Sequence, residues 1–207
     1  LRERNSLIRS GSTDDAWYLA LETKIAEMGV AVVAARRELV FRLIPSARRS
    51  FGPFPGAVLK ISGDLECWLN TSSALEVEDR YKKALRLARK SRRREPLLIP
   101  GPHRSDLVVF HSINNMPANQ CSTGEQKALL IAIMVSHANL RKIEFGEAPV
   151  MLLDEITAHL DSQRRDALFN VLESLGSQVW MTGTDVSLFE SIESRAQFFK
   201  ISNGKIC

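Results

Sequence analysis

Two short segments of this chain carry residue types that handle phosphate. The first is Ser122-Thr123-Gly124-Glu125-Gln126-Lys127, which opens the apolar run from Ala128 to Val135. Serine ahead of such a run is a helix N-cap, and Glu125 three residues on completes a capping box. Gly124 removes a Cβ where an anion would approach the backbone. Free N–H groups and the helix dipole then favour a phosphate, and Gln126 stands in the same first turn. The second segment is Val150-Met151-Leu152-Leu153-Asp154-Glu155, an apolar strand ending in two acids. Acidic side chains at the end of a buried strand lie where α/β sheets bind ligands. Asp154 can hold Mg²⁺ directly or through water, and Glu155 can accept a proton from an attacking water. Each segment also has a plain reading, a capped helix without a ligand and a strand ending in solvated acids.

Two further pieces follow in order. Ile156-Thr157-Ala158-His159-Leu160-Asp161 is a short loop ending in an acid before a new helix. Val179-Trp180-Met181-Thr182 is a strand that runs into Gly183-Thr184-Asp185, where a polar residue such as Thr184 would sit beside a terminal phosphate. No Gly-x-x-x-x-Gly-Lys-Ser/Thr loop, which would cradle the nucleotide's own phosphates, occurs in the 207 residues.

These residues need a scaffold, and the pattern supplies one. From Glu95 the chain alternates strand and helix. Leu97-Leu98-Ile99 and Leu107 to Phe110 read as strands, followed by a helix over 123–143, a strand over 149–153, a helix over 163–175, a strand over 178–182 and a last strand over 197–202 that runs into a turn at Asn203-Gly204. That order predicts a parallel α/β sheet. Before Glu95 the texture is helical. Leu21, Ile25, Met28, Val32, Ala35 and Leu39 form an a/d-like seam in a helix over 14–44, capped by Asp14 and stopped by Pro45. A coiled coil and a helix packed in an antiparallel arm explain that seam equally well. Val58, Leu59 and Ile61 offer a short strand. A second helix over 73–93 carries Val77, Tyr81, Ala84, Leu85 and Ala88 as its apolar stripe, with Lys82, Arg86, Arg89, Lys90 and Arg93 on the other side.

Charge is distributed to match. The whole chain is +4, but residues 1–95 hold 19 basic and 12 acidic side chains, against 9 and 12 in residues 96–207. A basic half beside a slightly acidic one points to a polyanion-facing module attached to a catalytic one, with a solvated helical face as the rival. Hydrophobic residues are 44% and charged residues 25%, as in globular domains. Cys67, Cys121 and Cys207 are sparse and form no Cys-x-x-Cys, which fits a reducing cytoplasm. The longest apolar run is too short to span a bilayer, and no secretory signal is visible, so no membrane partner is expected. His111, His137 and His159 lack metal-ligand spacing. The chain opens at Leu1 inside a helical stretch, and it is expected to be a piece of a longer polypeptide.

The ordered set, a phosphate-binding helix start, an Asp-Glu strand end, an Asp-bearing loop and a polar strand end, resembles the signature motif, Walker B, D-loop and switch of ABC-type ATPase heads. The likeness extends to Gly101-Pro102-His103-Arg104-Ser105-Asp106, to Phe198-Phe199-Lys200-Ile201-Ser202-Asn203-Gly204-Lys205-Ile206, and to the opening Arg2-Glu3-Arg4-Asn5-Ser6-Leu7-Ile8-Arg9. Together these resemble the RecF family of bacterial recombination mediators, over essentially the whole chain and most specifically over 101–206.

The resemblance implies the carboxy-terminal lobe of an ABC/SMC-like P-loop ATPase head, with a helical arm over 1–95 and the head over 96–207. It implies ATP and Mg²⁺ as cofactors, an ATP-dependent homodimer, and DNA, RecO and RecR as partners in loading RecA, in a cytoplasmic, nucleoid-associated protein. By the same resemblance Asp154 serves Mg²⁺ and Glu155 is the general base. Ser122 and Gly124, with Glu125 and Gln126 beside them, meet the γ-phosphate held by a second subunit, and Asp161 lies across the dimer interface. The pattern departs from the transporter form Leu-Ser-Gly-Gly-Gln: Cys121 stands for Leu and Thr-Gly-Glu for Gly-Gly, and the switch has no His. Without a phosphate loop, this chain alone is expected not to hydrolyse ATP. A non-catalytic DNA-binding or scaffolding piece with the same fold stands beside this reading. A transporter-type subunit is disfavoured by the basic helix and the switch.

Overall fold

The computed structural model describes residues 1–90, 99–158 and 160–206. Arg93, the Arg92–Arg94 run, Leu97, Leu98, His159 and Cys207 therefore lie outside the described residues. The chain divides into two compact units, residues 1–42 with 59–109, and residues 43–58 with 110–207.

The first unit is built on helices. α1 spans Arg2–Arg9 and α2 spans Asp15–Ala47. Asp14 caps α2 as expected, accepting from the Trp17 N–H at 3.0 Å. Pro45 does not stop the helix. It falls in the last turn, where it forfeits one N–H, and the Arg48 N–H still reaches the Ile44 carbonyl at 3.0 Å.

The expected seam is out of phase with the core. Met28 is 50% exposed and Val32 and Leu39 are 41% exposed, whereas Tyr18, Glu22, Ala26, Val30 and Val33 are buried. The true stripe includes a carboxylate, which a count of apolar residues passes over. Ala26, Val30 and Val33 meet Leu65 of α3 (Asp64–Trp68) and Val77, Tyr81 and Leu85 of α4 (Ala74–Lys90). The predicted stripe of α4 is thus its core face.

Glu22 is not alone. The Arg4 guanidinium is 3.2 Å from it, and Arg4 also donates to the Leu85 carbonyl at 2.6 Å. Arg89 stands 3.3 Å from Glu22 and 2.7 Å from Asp15, with its guanidinium 4.2 Å over the Tyr18 ring. One buried carboxylate between two guanidiniums ties α1, α2 and α4 together.

β1 (Ala57–Ser62) and β2 (Asp106–His111) form a two-stranded sheet. In the second unit, α5 (Thr123–Phe145), β3 (Met151–Leu153), α6 (Ser162–Leu175) and β4 (Val179–Met181) follow in the expected order. β3 and β4 pair in parallel, Met151 opposite Val179 and Leu153 opposite Met181. Their core face packs with Ala128, Ile131 and Ala138 of α5 and with Leu168, Leu172 and Leu175 of α6. On the other face Leu152 is 75% exposed and Trp180 51%.

The last strand is shorter than expected. β5 is Ile201–Ser202, paired antiparallel with β6, Lys205–Ile206. Asn203 and Gly204 both take positive φ, 50° and 74°, as a two-residue hairpin turn of this hand demands.

Candidate functional site

The start of α5 has the predicted cap. The Glu125 N–H donates to Ser122 Oγ at 3.3 Å, and the Ser122 N–H donates to Glu125 Oε2 at 2.9 Å. The Ser122 N–H and hydroxyl, both donating to the Glu125 carboxylate, hold that carboxyl below its ordinary value. The Gln126 side chain donates to the Cys121 carbonyl at 3.0 Å. Glu125 and Gln126 therefore shape the helix start. The N–H groups of Thr123 and Gly124 have no acceptor among the described residues. A Cβ at Gly124 would meet nothing closer than Arg164 Nη1 at 3.6 Å, so packing does not demand glycine there.

At the ends of β3 and β4 the acids are held from the neighbouring strand. Thr182 Oγ1 donates to Asp154 Oδ1 at 2.5 Å and accepts from the Glu155 N–H at 3.0 Å. The ladder bond from the Thr182 N–H to the Leu153 carbonyl, 3.1 Å, sets that register. Glu155 has φ +49°, in the left-handed region that non-glycine residues seldom occupy. Asp154 and Glu155 are both exposed. Lys127 reaches the same loop, donating to the carbonyls of Glu155 at 2.9 Å and Ala158 at 2.6 Å.

Asp161 caps α6. It accepts from the Arg164 N–H at 2.8 Å, and its other oxygen is 3.7 Å from the Arg164 guanidinium. Thr184 is exposed and makes no hydrogen bond among the described residues, while Asp185 caps the 3₁₀ helix Val186–Arg195. The polar strand-end residue that touches the acid pair is Thr182, which the sequence reading passed over in favour of Thr184. Lys127 was also missed. Thr182 was within reach: parallel pairing of Leu153 with Met181 puts Asp154 beside Thr182.

Among the described residues no group of three or more His, Cys, Asp or Glu could hold a metal. One exposed carboxylate, with the rest of the shell left to phosphate oxygens and water, suits Mg²⁺. The donor chemistry at Asp154 fits that ion.

On α4 the five basic residues are not equivalent. Lys82 is 2.7 Å from Asp79, whose carboxylate raises the ammonium's pKa by hydrogen bonding. Arg89 is turned to Asp15 and Glu22, and its hydrogen bond and charge hold the Asp15 carboxyl below its usual range. Arg89 follows Leu85 by one turn and so stands on the flank of the apolar stripe. Arg86 and Lys90 are exposed, and Arg93 is outside the described residues. In the Pro-Gly-Pro turn, His103 and Arg104 are exposed, and Arg36 donates to the Pro102 carbonyl at 2.6 Å.

Residues 5–191 match the family described as "AAA domain, putative AbiEii toxin, Type IV TA system". The whole chain is 50% identical to the DNA replication and repair protein RecF of Mesorhizobium japonicum, 45% to that of Brucella abortus and 42% to that of Rhizobium etli. It covers 55%, 54% and 55% of them, so it spans about half the length of these relatives. A solved structure of the recombination mediator protein RecF-ATPrS in the RecFOR pathway covers the whole chain at TM-score 0.71 and 22% identity. The corresponding RecF-ATP structure gives 0.67 at 22% identity. In both cases the chain covers 55% of the solved one. The fold is accordingly the expected α/β fold, shared with these solved structures, and the chain belongs to the AAA-domain family that this model describes.

Proposed function

We propose that this chain is the carboxy-terminal part of a DNA-repair and recombination mediator ATPase that binds DNA and dimerises on ATP. The observation that carries the reading is the junction of Asp154, Thr182 and Glu155 at two parallel strand ends, joined through Lys127 to a capped helix start with two amides that have no acceptor among the described residues. Residues 1–95 are the helical arm in this reading, and 96–207 the head.

When bound, Mg²⁺-ATP supplies an electrophilic γ-phosphorus. The chain's own residues do the rest. Asp154, its carboxylate fixed by the Thr182 hydroxyl, offers an oxygen to the metal. Glu155 takes the proton of the attacking water. Ser122 and the amides of Thr123 and Gly124 present donors to a γ-phosphate held by a second subunit, with Glu125 and Gln126 fixing that turn. Thr184 stands farther along the switch, and Asp161 caps α6 at the partner-facing loop. Arg86 and Lys90 of α4, with Lys82 and Arg93, meet DNA phosphates, while Arg89 positions the helix. RecO and RecR are its partners in loading RecA, in the bacterial cytoplasm.

The test uses the full-length protein. Mg²⁺-ATP should drive dimerisation in sedimentation experiments and be hydrolysed, and the 207-residue chain alone should not turn ATP over. The second reading, a non-catalytic DNA-binding or scaffolding piece, draws on the missing Gly-x-x-x-x-Gly-Lys-Ser/Thr loop. A full-length protein that binds DNA but neither dimerises with nor hydrolyses ATP would establish it instead.

A further inference from the structure

Lys127 is the last residue of the segment that opens α5, and it links that helix start to the Glu155 loop without a chemical role of its own so far. Its Nζ donates to the Glu155 carbonyl at 2.9 Å and to the Ala158 carbonyl at 2.6 Å. No carboxylate lies within ion-pair distance of it among the described residues. An ammonium has three donors, and here two go to main-chain carbonyls of one loop. Burial pulls the Lys127 pKa below its ordinary value, with the Glu155 charge opposing that shift.

The loop it grips carries backbone strain. Glu155 has φ +49°, which an L residue keeps only when its surroundings over-determine it. Its N–H is held from β4 by Thr182 Oγ1 at 3.0 Å, and its carbonyl from α5 by Lys127. The following turn closes through the Ala158 N–H to the same Glu155 carbonyl at 3.2 Å, and through the Leu160 N–H to the Thr157 carbonyl at 3.2 Å.

We propose that Lys127 is a positioning residue for Glu155: by clamping the Glu155 and Ala158 carbonyls to α5 it fixes the direction of the Glu155 side chain. The helix whose start would receive one phosphate thereby sets the posture of the carboxylate that would act on another. This rests on the reading of Glu155 as the general base.

The experiment uses the full-length protein with Lys127→Met, which keeps the aliphatic stem but has no donors, and Lys127→Arg, which keeps the charge and donors. Amide hydrogen exchange is followed over 155–161, beside steady-state hydrolysis of ATP. In Lys127→Met the Ala158 and Leu160 amides should exchange about tenfold faster or more, with α5 and α6 unchanged. The kcat should fall about tenfold while KM stays within about twofold, since orientation and not nucleotide binding is lost. Lys127→Arg should recover part of both. Unchanged exchange over 155–161 in Lys127→Met overturns the proposal, and so does a uniform loss of protection across α5 and α6. A wild-type protein that hydrolyses no ATP removes the base reading on its own and leaves the exchange result to decide the clamp.

Discussion

The Thr182 hydroxyl donates to Asp154 Oδ1 at 2.5 Å, across the ends of two parallel strands. Thr182 Oγ1 also accepts from the Glu155 N–H. One side chain therefore fixes a candidate metal ligand and the backbone of a candidate base. Thr182→Val keeps the shape and removes both functions. It should destabilise the fold by only about 0.5–1.5 kcal/mol, because the site is exposed. In the full-length protein it should lower ATP turnover well beyond what that loss explains. Thermal melts and turnover measured on one preparation give the comparison, and equal turnover would remove Thr182 from the site.

Glu155→Gln preserves size and loses basicity. In the full-length protein it should lower hydrolysis by about 10²–10⁴-fold and leave ATP-dependent dimers intact. Ser122→Ala should instead weaken the dimer. Sedimentation with ATP separates the two, and near-normal turnover in Glu155→Gln would end its assignment as base.

Arg86 and Lys90 are the exposed cations of α4 in the proposed DNA face. Each phosphate contact contributes about 0.9 to the slope of log affinity against log salt. Replacing both by Gln should flatten that slope by about 2, with little dependence on DNA sequence. Titrations at several salt concentrations measure it, and an unchanged slope would leave the face to solvent or to an acidic protein.

Removing Arg4 leaves the buried Glu22 carboxylate with Arg89 as its remaining partner and takes the donor from the Leu85 carbonyl. Arg4→Met should cost about 2 kcal/mol, even though Arg4 is far in sequence from either chemical segment. Urea unfolding reads the loss, and a change below about 0.5 kcal/mol would show the pair to be dispensable.

The capping box of α5 depends on an ionised Glu125. Its folded pKa lies below the ordinary 4.5 because Ser122 donates to the charged form. A depressed carboxyl pKa adds stability above the unfolded value, and that contribution is lost as pH falls through the folded one. The α5 start should thus hold at pH 5 and loosen only below 4.5, which an NMR titration of the Glu125 carboxyl carbon would show as a midpoint under 4.5.

The sequence made the second unit largely legible because its signals are local. Ser122 and Asp161 are caps, and β3 and β4 are short apolar runs between helices. Lys127 was not legible, since its partners are loop carbonyls that leave no mark in side-chain identity. α2 was misphased for a different reason. Its inward face includes Glu22, and a carboxylate is read as solvent-facing until two guanidiniums are known to reach it. Pro45 misled because its breaking effect belongs to helix interiors and it sits in a final turn.

Glu155 sits where its own backbone would rather have glycine or asparagine. Selection for thermal robustness alone would therefore drift toward Glu155→Gly, gaining folding stability and discarding the carboxylate. A stability-only library of the full-length protein should enrich that substitution, and a library screened for DNA repair should purge it. The position marks where durability and use pull the same codon in opposite directions.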